Sequence, residues 1–367
     1  MFLSPRTVAL HLVDVGLVSL ESIVAGDLRV IDESRRNRNF RVVTNSSTGS
    51  GYFVKQVGTW EPQGVETLQR EAECYLLAQD EGALSPITSL LPKYHAYDPG
   101  RHILVVELLT HGESLTEYHR RRGIFPIEVG VRLGRALGAC HYQVDLTQGN
   151  VSNHATFPRR LPWILSESGT GAMPEEWKHG AFGQLSGIVQ EQVGIRDELG
   201  RLRQEWQSTT LVHGDIKWDN CILTNADSNS LASLKIVDWE LADVGDQCWD
   251  VGGVFQSYLT CWLFSMPIKD GARPREFVEL APYQLKTMQP AMRAFWAAYT
   301  ETSGANRGQV DQLLERSVRY AAARMIQTAY ESLTFSPTIT PHAVLLLQLS
   351  ANILEKPGVA ISELLGV

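Results

Sequence analysis

The chain has 367 residues, with 33 Lys+Arg against 41 Asp+Glu and a formal net charge of −8. Hydrophobic residues make up 44% and charged residues 20%, a globular composition that excludes a disordered or fibrous protein. The acidic balance gives no general attraction to nucleic acid or anionic lipid, so neither partner is expected, and the length suits two or three folding units or one large two-lobed one.

Taken in chain order, residues 7–16 and 19–24 carry helical apolar spacing. Ser19 is placed to cap the second helix, with Glu21 in its first turn, where the helix dipole favours a negative charge. The opening MFLSPRTVALHLVDVG has neither the basic start nor the long apolar core of a signal peptide. Three short β-rich runs follow at 28–32, 40–43 and 52–57, the last two joined by the turn-forming TNSSTGSG. Residues 67–79 predict a helix, and 93–98 and 103–109 predict two more strands across the turn PGR. A small antiparallel sheet with one helix is the simplest assembly of residues 25–109.

Beyond His111–Gly112 the pattern becomes mainly helical, at 127–142, about 191–206, 251–264, 283–300, 310–333 and 342–354. Short β-like pieces at 211–212, 221–224 and 234–237 interrupt it, and 145–180, rich in Gly, Pro, Ser and Asn, predicts a long connection. The uncharged stretch 251–268 approaches membrane-spanning length. Its two glycines, Gln256, Ser257, Thr260 and Pro267 make it a buried core helix instead. The five cysteines are far apart and never in a C-x-x-C pair, so free thiols in a cytoplasmic protein are expected rather than a zinc site or a disulfide framework.

The chemistry concentrates in LVHGDIKWDNCIL (211–223) and LKIVDWE (234–240). Each is a short strand running into polar groups: His213, Asp215, Lys217 and Asn220 in the first, Asp238 and Glu240 in the second. Carboxylates and an amide at the ends of neighbouring strands suit Mg²⁺ held against a polyphosphate, since this ion takes oxygen ligands and shares them with substrate phosphates. Asp215 then remains to accept a proton from an attacking hydroxyl. Any one aspartate in a turn is most simply a capping or Asx-turn residue; the joint spacing carries the reading.

HGDIKWDN matches the kinase catalytic-loop spacing H-R-D-L-x-x-x-N with Gly214 in place of the arginine, and DWE stands where D-F-G would. In this form the chain, from about residue 28 to 330, resembles the aminoglycoside phosphotransferase and choline kinase-like families. The resemblance implies an α+β, bilobal protein-kinase-like fold with a small antiparallel sheet N-lobe and a mainly helical C-lobe. A helical extension (1–27) would precede the nucleotide-binding lobe (28–109), and the catalytic and substrate-binding lobe would follow (110–367), with ATP in the cleft. It implies Asp215 as base or hydroxyl-positioning group, Asn220 and Asp238 as Mg²⁺ ligands, His213 as scaffold and Asp250 as a brace for the loop. Lys55, on the third strand, would pair with Glu71, sixteen residues on, and hold the phosphates of ATP. Glu73 is an equally available carboxylate. No G-x-G-x-x-G is present; ESRRNRN (33–39) occupies the expected phosphate-covering turn, with Ser34, Asn37 and Arg35, Arg36 or Arg38 as contacts or as a solvated basic turn. VVELL (105–109) would be the hinge, with main-chain groups of Glu107 and Leu109 meeting adenine.

Lys217 stands two residues after Asp215, as in the H-R-D-L-K form of Ser/Thr kinases, where that lysine meets the transferred phosphate. SRRNRNF (34–40) with WDVGGVFQSYL (249–259) is also similar to the phosphotransferase-like kinases of class V lanthipeptide biosynthesis. That similarity implies a precursor-peptide Ser/Thr as acceptor and a separate lyase as partner. A small antibiotic or amino-alcohol hydroxyl is the alternative acceptor, and a nucleotide-binding scaffold without activity is the third reading.

Overall fold

The computed structural model describes residues 2–34, 37–45, 51–58, 60–79, 84–144, 157–166, 180–224, 233–267, 274–334 and 336–367. Arg35, Arg36, the middle of the TNSSTGSG turn and most of 145–180 lie outside them. The chain divides into two compact units. The first comprises residues 1–115, 153–157 and 219–242, and the second 116–152, 158–218 and 243–367.

In the first unit, alternation of apolar and polar residues produces an antiparallel sheet in the order β1-β2-β3-β5-β4. Its strands are β1 (Leu28–Asp32), β2 (Arg38–Thr44), β3 (Gly51–Gln56), β4 (Tyr94–Asp98) and β5 (Ile103–Glu107). Phe40 and Val42 of β2, Val54 of β3 and Ile103 and Val105 of β5 bury one face. The helix α1 (Thr7–Asp14) joins that core through Val8 and Leu12, with Leu3 just before it. The N-terminal segment is therefore part of the sheet's core. Ser19 caps α2 (Leu20–Val24), its Oγ accepting from the Ser22 amide at 3.1 Å. The helix α3 (Pro62–Leu77) begins five residues earlier than the periodicity predicts, because Pro62 at its start needs no amide partner. A three-stranded sheet completes the unit: β6 (Gly112–Ser114), then β8 (Cys221–Thr224), then β9 (Ser233–Ile236). Lys235 of β9 donates to the carbonyls of Ser89 and Leu91 at 3.0 and 2.9 Å, fastening this sheet to a helical turn at Ser85–Leu90.

The second unit is mainly helical. It holds α4 (Leu115–Arg122), α5 (Ile127–Gln143), α6 (Gly180–Glu191), α7 (Val193–Glu205), α8 (Gln247–Ser265), α9 (Pro274–Glu279), α10 (Leu285–Thr302), α11 (Arg307–Ser332) and α12 (Pro341–Glu355). A two-stranded ribbon, β7 (Thr210–Val212) with β10 (Asp243–Gly245), lies among them. Helix α5 meets α10 backbone to backbone: a Cβ at Gly130, Gly134 or Gly138 would strike the Ala291 carbonyl, the Phe295 carbonyl or the Thr302 hydroxyl. Glycines at every fourth position line one helix face, which allows the close approach. The apolar stretch expected as a core helix is α8, buried almost throughout from Cys248 to Leu259. Among the described residues no single helix is long and apolar enough to cross a membrane.

Candidate active site

The predicted residues gather in two clusters, one in each unit. In the first unit, Lys55 projects from β3 with its side chain only 14% exposed. Its ammonium donates to both Glu71 carboxylate oxygens, at 2.9 and 2.8 Å, and to Asp238 Oδ1 at 2.6 Å. Between the two carboxylates open in the sequence, Glu71 rather than Glu73 is the one that meets Lys55. Burial opposes the lysine's charge, yet Glu71 and Asp238 outweigh it and raise its pKa above 10.5. Burial, with the neighbouring carboxylate of Asp238 adding to it, outweighs the downward pull of Lys55 and leaves Glu71 raised to about 7. One cation between two carboxylates leaves an excess of negative charge, a setting suited to a further cation.

Asp238 is placed by its backbone. It follows β9 in the left-handed conformation (φ 69°), uncommon for a residue with a side chain, and heads the helical turn Trp239–Leu241. That turn is tied down by Trp239 Nε1 donating to the Ile236 carbonyl at 2.9 Å and by Arg70 of α3 reaching the Glu240 carbonyl at 3.4 Å. Asn220 immediately precedes β8, and its carbonyl accepts from the Val237 amide at 2.9 Å. The pairing of Cys221 with Ile236 thus brings Asn220 and Asp238 to the same end of adjacent strands. An amide oxygen and a carboxylate are the hard oxygen donors that Mg²⁺ prefers, so the residues fit this ion.

Of the segment 33–39, Glu33, Ser34 and Asn37 are described between β1 and β2, while Arg38 and Asn39 already belong to β2. Ser34 serves the turn itself: its amide donates to Asp32 Oδ1 at 2.9 Å and its hydroxyl accepts from the Asn39 amide at 3.2 Å. The Oδ1 atoms of Asn37 and Asn39 are buried without a partner among the described residues. Asn39 pairs directly across from Lys55 in the β2–β3 register, so both side chains stand on one sheet face. No motif in the sequence singles out Asn39; only the register reveals it. At the end of β5, the Glu107 amide donates to the Lys93 carbonyl at 2.8 Å, and the Leu109 carbonyl accepts from the Gly112 amide at 2.9 Å.

In the second unit the loop after β7 carries Asp215. Gly214 takes φ 82°, which explains a glycine where the protein-kinase pattern has arginine. Asp250 of α8, 1% exposed, accepts from the amides of His213 and Gly214 at 2.7 and 3.0 Å and from His141 Nε2 at 3.4 Å. His213 is buried as well, its Nδ1 accepting from the Asp215 amide at 3.2 Å. Lys217 donates to Asp215 Oδ2 at 2.6 Å. A third group is hidden in the sequence: Arg324 of α11 donates to the carbonyls of Gly214 and Ile216 and lies 3.5 Å from Asp215 Oδ1. A single charge in the apolar run YAAARMI is its only signal.

Residues 27–290, more than two thirds of the chain, match the family described as "Phosphotransferase enzyme family". No curated protein matches the sequence. Among solved structures, the chain is similar to an ethanolamine kinase of Plasmodium vivax (TM-score 0.58, 14% identity, covering 95% of this chain and 89% of that one). A choline kinase of Cryptosporidium parvum gives TM-score 0.54 at 11% identity, covering 96% of each chain. The amicoumacin kinase hAmiN, solved with AMP-PNP, Ca²⁺ and Ami, gives TM-score 0.52 at 13% identity, covering 93% of this chain and 94% of that one. At such identities the likeness concerns the fold, which is the α+β protein-kinase-like fold.

Proposed function

On the premise that this chain belongs to the phosphotransferase enzyme family and is an ATP-dependent phosphotransferase, we propose that it phosphorylates a hydroxyl, using Lys55, Glu71, Asn220 and Asp238 on the nucleotide and Asp215 on the acceptor. The observation that carries this is Lys55 bonded at once to Glu71 and Asp238. Glu71 aims the ammonium, and the ammonium binds phosphate oxygens. Mg²⁺ held by Asn220 and Asp238 would offset the charge on the transferring phosphoryl group. Asn37 and Asn39 face the phosphates from the turn before β2 and from β2, while Ser34 shapes that turn. The Glu107 carbonyl and Leu109 amide are the hinge groups offered to adenine, since the Glu107 amide and Leu109 carbonyl already bond within the chain. Asp215 orients the acceptor hydroxyl and takes its proton, and Lys217 beside it steadies the phosphoryl group in transit.

For the acceptor we favour a Ser/Thr hydroxyl of a precursor peptide, in a lanthipeptide-type maturation with a lyase acting afterwards. Its support is the contact of Lys217 with Asp215, the pairing the Ser/Thr kinase pattern places there. A small amino-alcohol or antibiotic hydroxyl is the second reading, supported by the fold's likeness to ethanolamine, choline and amicoumacin kinases. Free thiols at all five cysteines agree with a cytoplasmic enzyme. Incubation with Mg·ATP and either a Ser/Thr-rich precursor peptide or a panel of amino alcohols and aminoglycosides decides the acceptor. A gain of ~80 Da, one phosphoryl group, on the peptide supports the first reading. The same gain only on a small molecule overturns it.

A further inference from the structure

We infer that Arg324 is a positioning residue for phosphoryl transfer, setting the orientation of Asp215 by gripping the loop on both sides of it. The inference rests on the reading of Asp215 as the acceptor-positioning group. Arg324 is 4% exposed on α11, flanked by Ala321, Ala322, Ala323, Met325 and Ile326, each at most 1% exposed. Placing a guanidinium in such surroundings is costly unless it is engaged. Both terminal nitrogens of Arg324 are, while Nε is buried without a partner among the described residues. The guanidinium engages one feature, the catalytic loop. One terminal nitrogen donates to the Gly214 carbonyl at 3.2 Å, the other to the Ile216 carbonyl at 2.7 Å, and the second also lies 3.5 Å from Asp215 Oδ1.

Two neighbours shape the socket. Trp249 stacks its ring 4.9 Å from the guanidinium and donates Nε1 to the same Gly214 carbonyl at 2.8 Å. Gly253 leaves the space: a Cβ there would strike the Ile216 carbonyl and come within 3.0 and 3.1 Å of Arg324 Nε and Cζ. The two oxygens of Asp215 are thereby treated differently. Oδ1 faces buried Arg324, and Oδ2 faces Lys217, whose side chain is 41% exposed. Arg324 turns Oδ1 inward, so Oδ2 is the oxygen presented to the acceptor. The planar fork of arginine spans two carbonyls and a carboxylate together, which one ammonium does not.

The test uses hydrolysis of Mg·ATP by the full chain, with water as acceptor, so no knowledge of the natural acceptor is needed. Arg324→Lys should lower kcat for phosphate release about 10- to 100-fold, the scale of a misplaced catalytic group, while KM for ATP stays within about 2-fold. Arg324→Gln, which keeps donors but no charge, should lose as much or more. In an Asp215→Asn background the same substitutions should cost less than about 2-fold, because the group they act through is gone. An equal loss in both backgrounds, or a KM for ATP that rises as kcat falls, overturns the inference and makes Arg324 a structural residue; so does loss of the fold in both variants by circular dichroism. If Asp215→Asn itself hydrolyses ATP normally, the reading of Asp215 falls too. A collapsed Asp215→Asn enzyme with additive Arg324 effects overturns the positioning role alone.

Discussion

The two clusters are held in opposite ways. Around Lys55, side chains hold side chains: one ammonium is shared by Glu71 and Asp238, and Asp238 reaches it from a left-handed backbone. Around Asp215, buried side chains hold main chain. Asp250 takes the amides of His213 and Gly214, and Arg324 takes the carbonyls of Gly214 and Ile216. Ion pairs between side chains can be rearranged by an incoming phosphate or cation. A loop whose amides and carbonyls are bonded from both sides keeps its shape. The first cluster is organised to receive a charged ligand and the second to point one carboxylate.

The sharpest way to break this comparison is at Asp238. Asp238→Ala should lower Mg²⁺-dependent turnover about 10³-fold or more, measured as phosphate release, with the melting temperature almost unchanged. The side chain is 35% exposed, and its removal leaves Lys55 paired with Glu71.

Asp250 should show the reverse. Asp250→Asn weakens acceptors for two buried amides, at a cost of about 1–3 kcal/mol, visible as a melting temperature lower by several degrees. Burial alone would raise the Asp250 pKa, but hydrogen bonds and charge from His141 and His213 bring it below 3.8. A carboxylate depressed in the folded state stabilises at pH values above its unfolded pKa and loses that contribution as pH falls through the folded value. The stability gap between wild type and Asp250→Asn should therefore narrow as pH falls below about pH 4, as followed by thermal melts from about pH 5 downward. The smallest effect belongs to Asn39. Asn39→Ala should raise KM for ATP about 3-fold, the loss of one modest hydrogen bond, leaving kcat and the melting temperature alone.

Much of the first cluster is legible in the amino-acid sequence. Lys55 sits in a strand and Glu71 in a helix whose apolar pattern fixes their faces, Asn220 and Asp238 stand just outside the strands β8 and β9, and HGDIKWDN with DWE supplies the spacing. Two residues are not legible in this way. The contribution of β2 depends on register, so Asn39 shows itself only once it is opposite Lys55. Arg324 lies far down the chain from Asp215 with no motif around it, and tertiary packing alone joins them. The three-residue strands β6 and β10 have too little alternation to register. The glycines of α5 read as helix-weakening residues, and only α10, filling the groove they leave, explains them.

The division of labour is tested most directly by measuring Mg·ATP affinity and single-turnover phosphoryl transfer together in Asp215→Asn. The account predicts a dissociation constant for Mg·ATP within about 2-fold of wild type and a transfer rate lower by about 10²- to 10⁴-fold, because this carboxylate acts on the acceptor and not on the nucleotide. An Asp215→Asn enzyme that loses nucleotide affinity in step with its transfer rate, or that transfers phosphate at the wild-type rate, would contradict it.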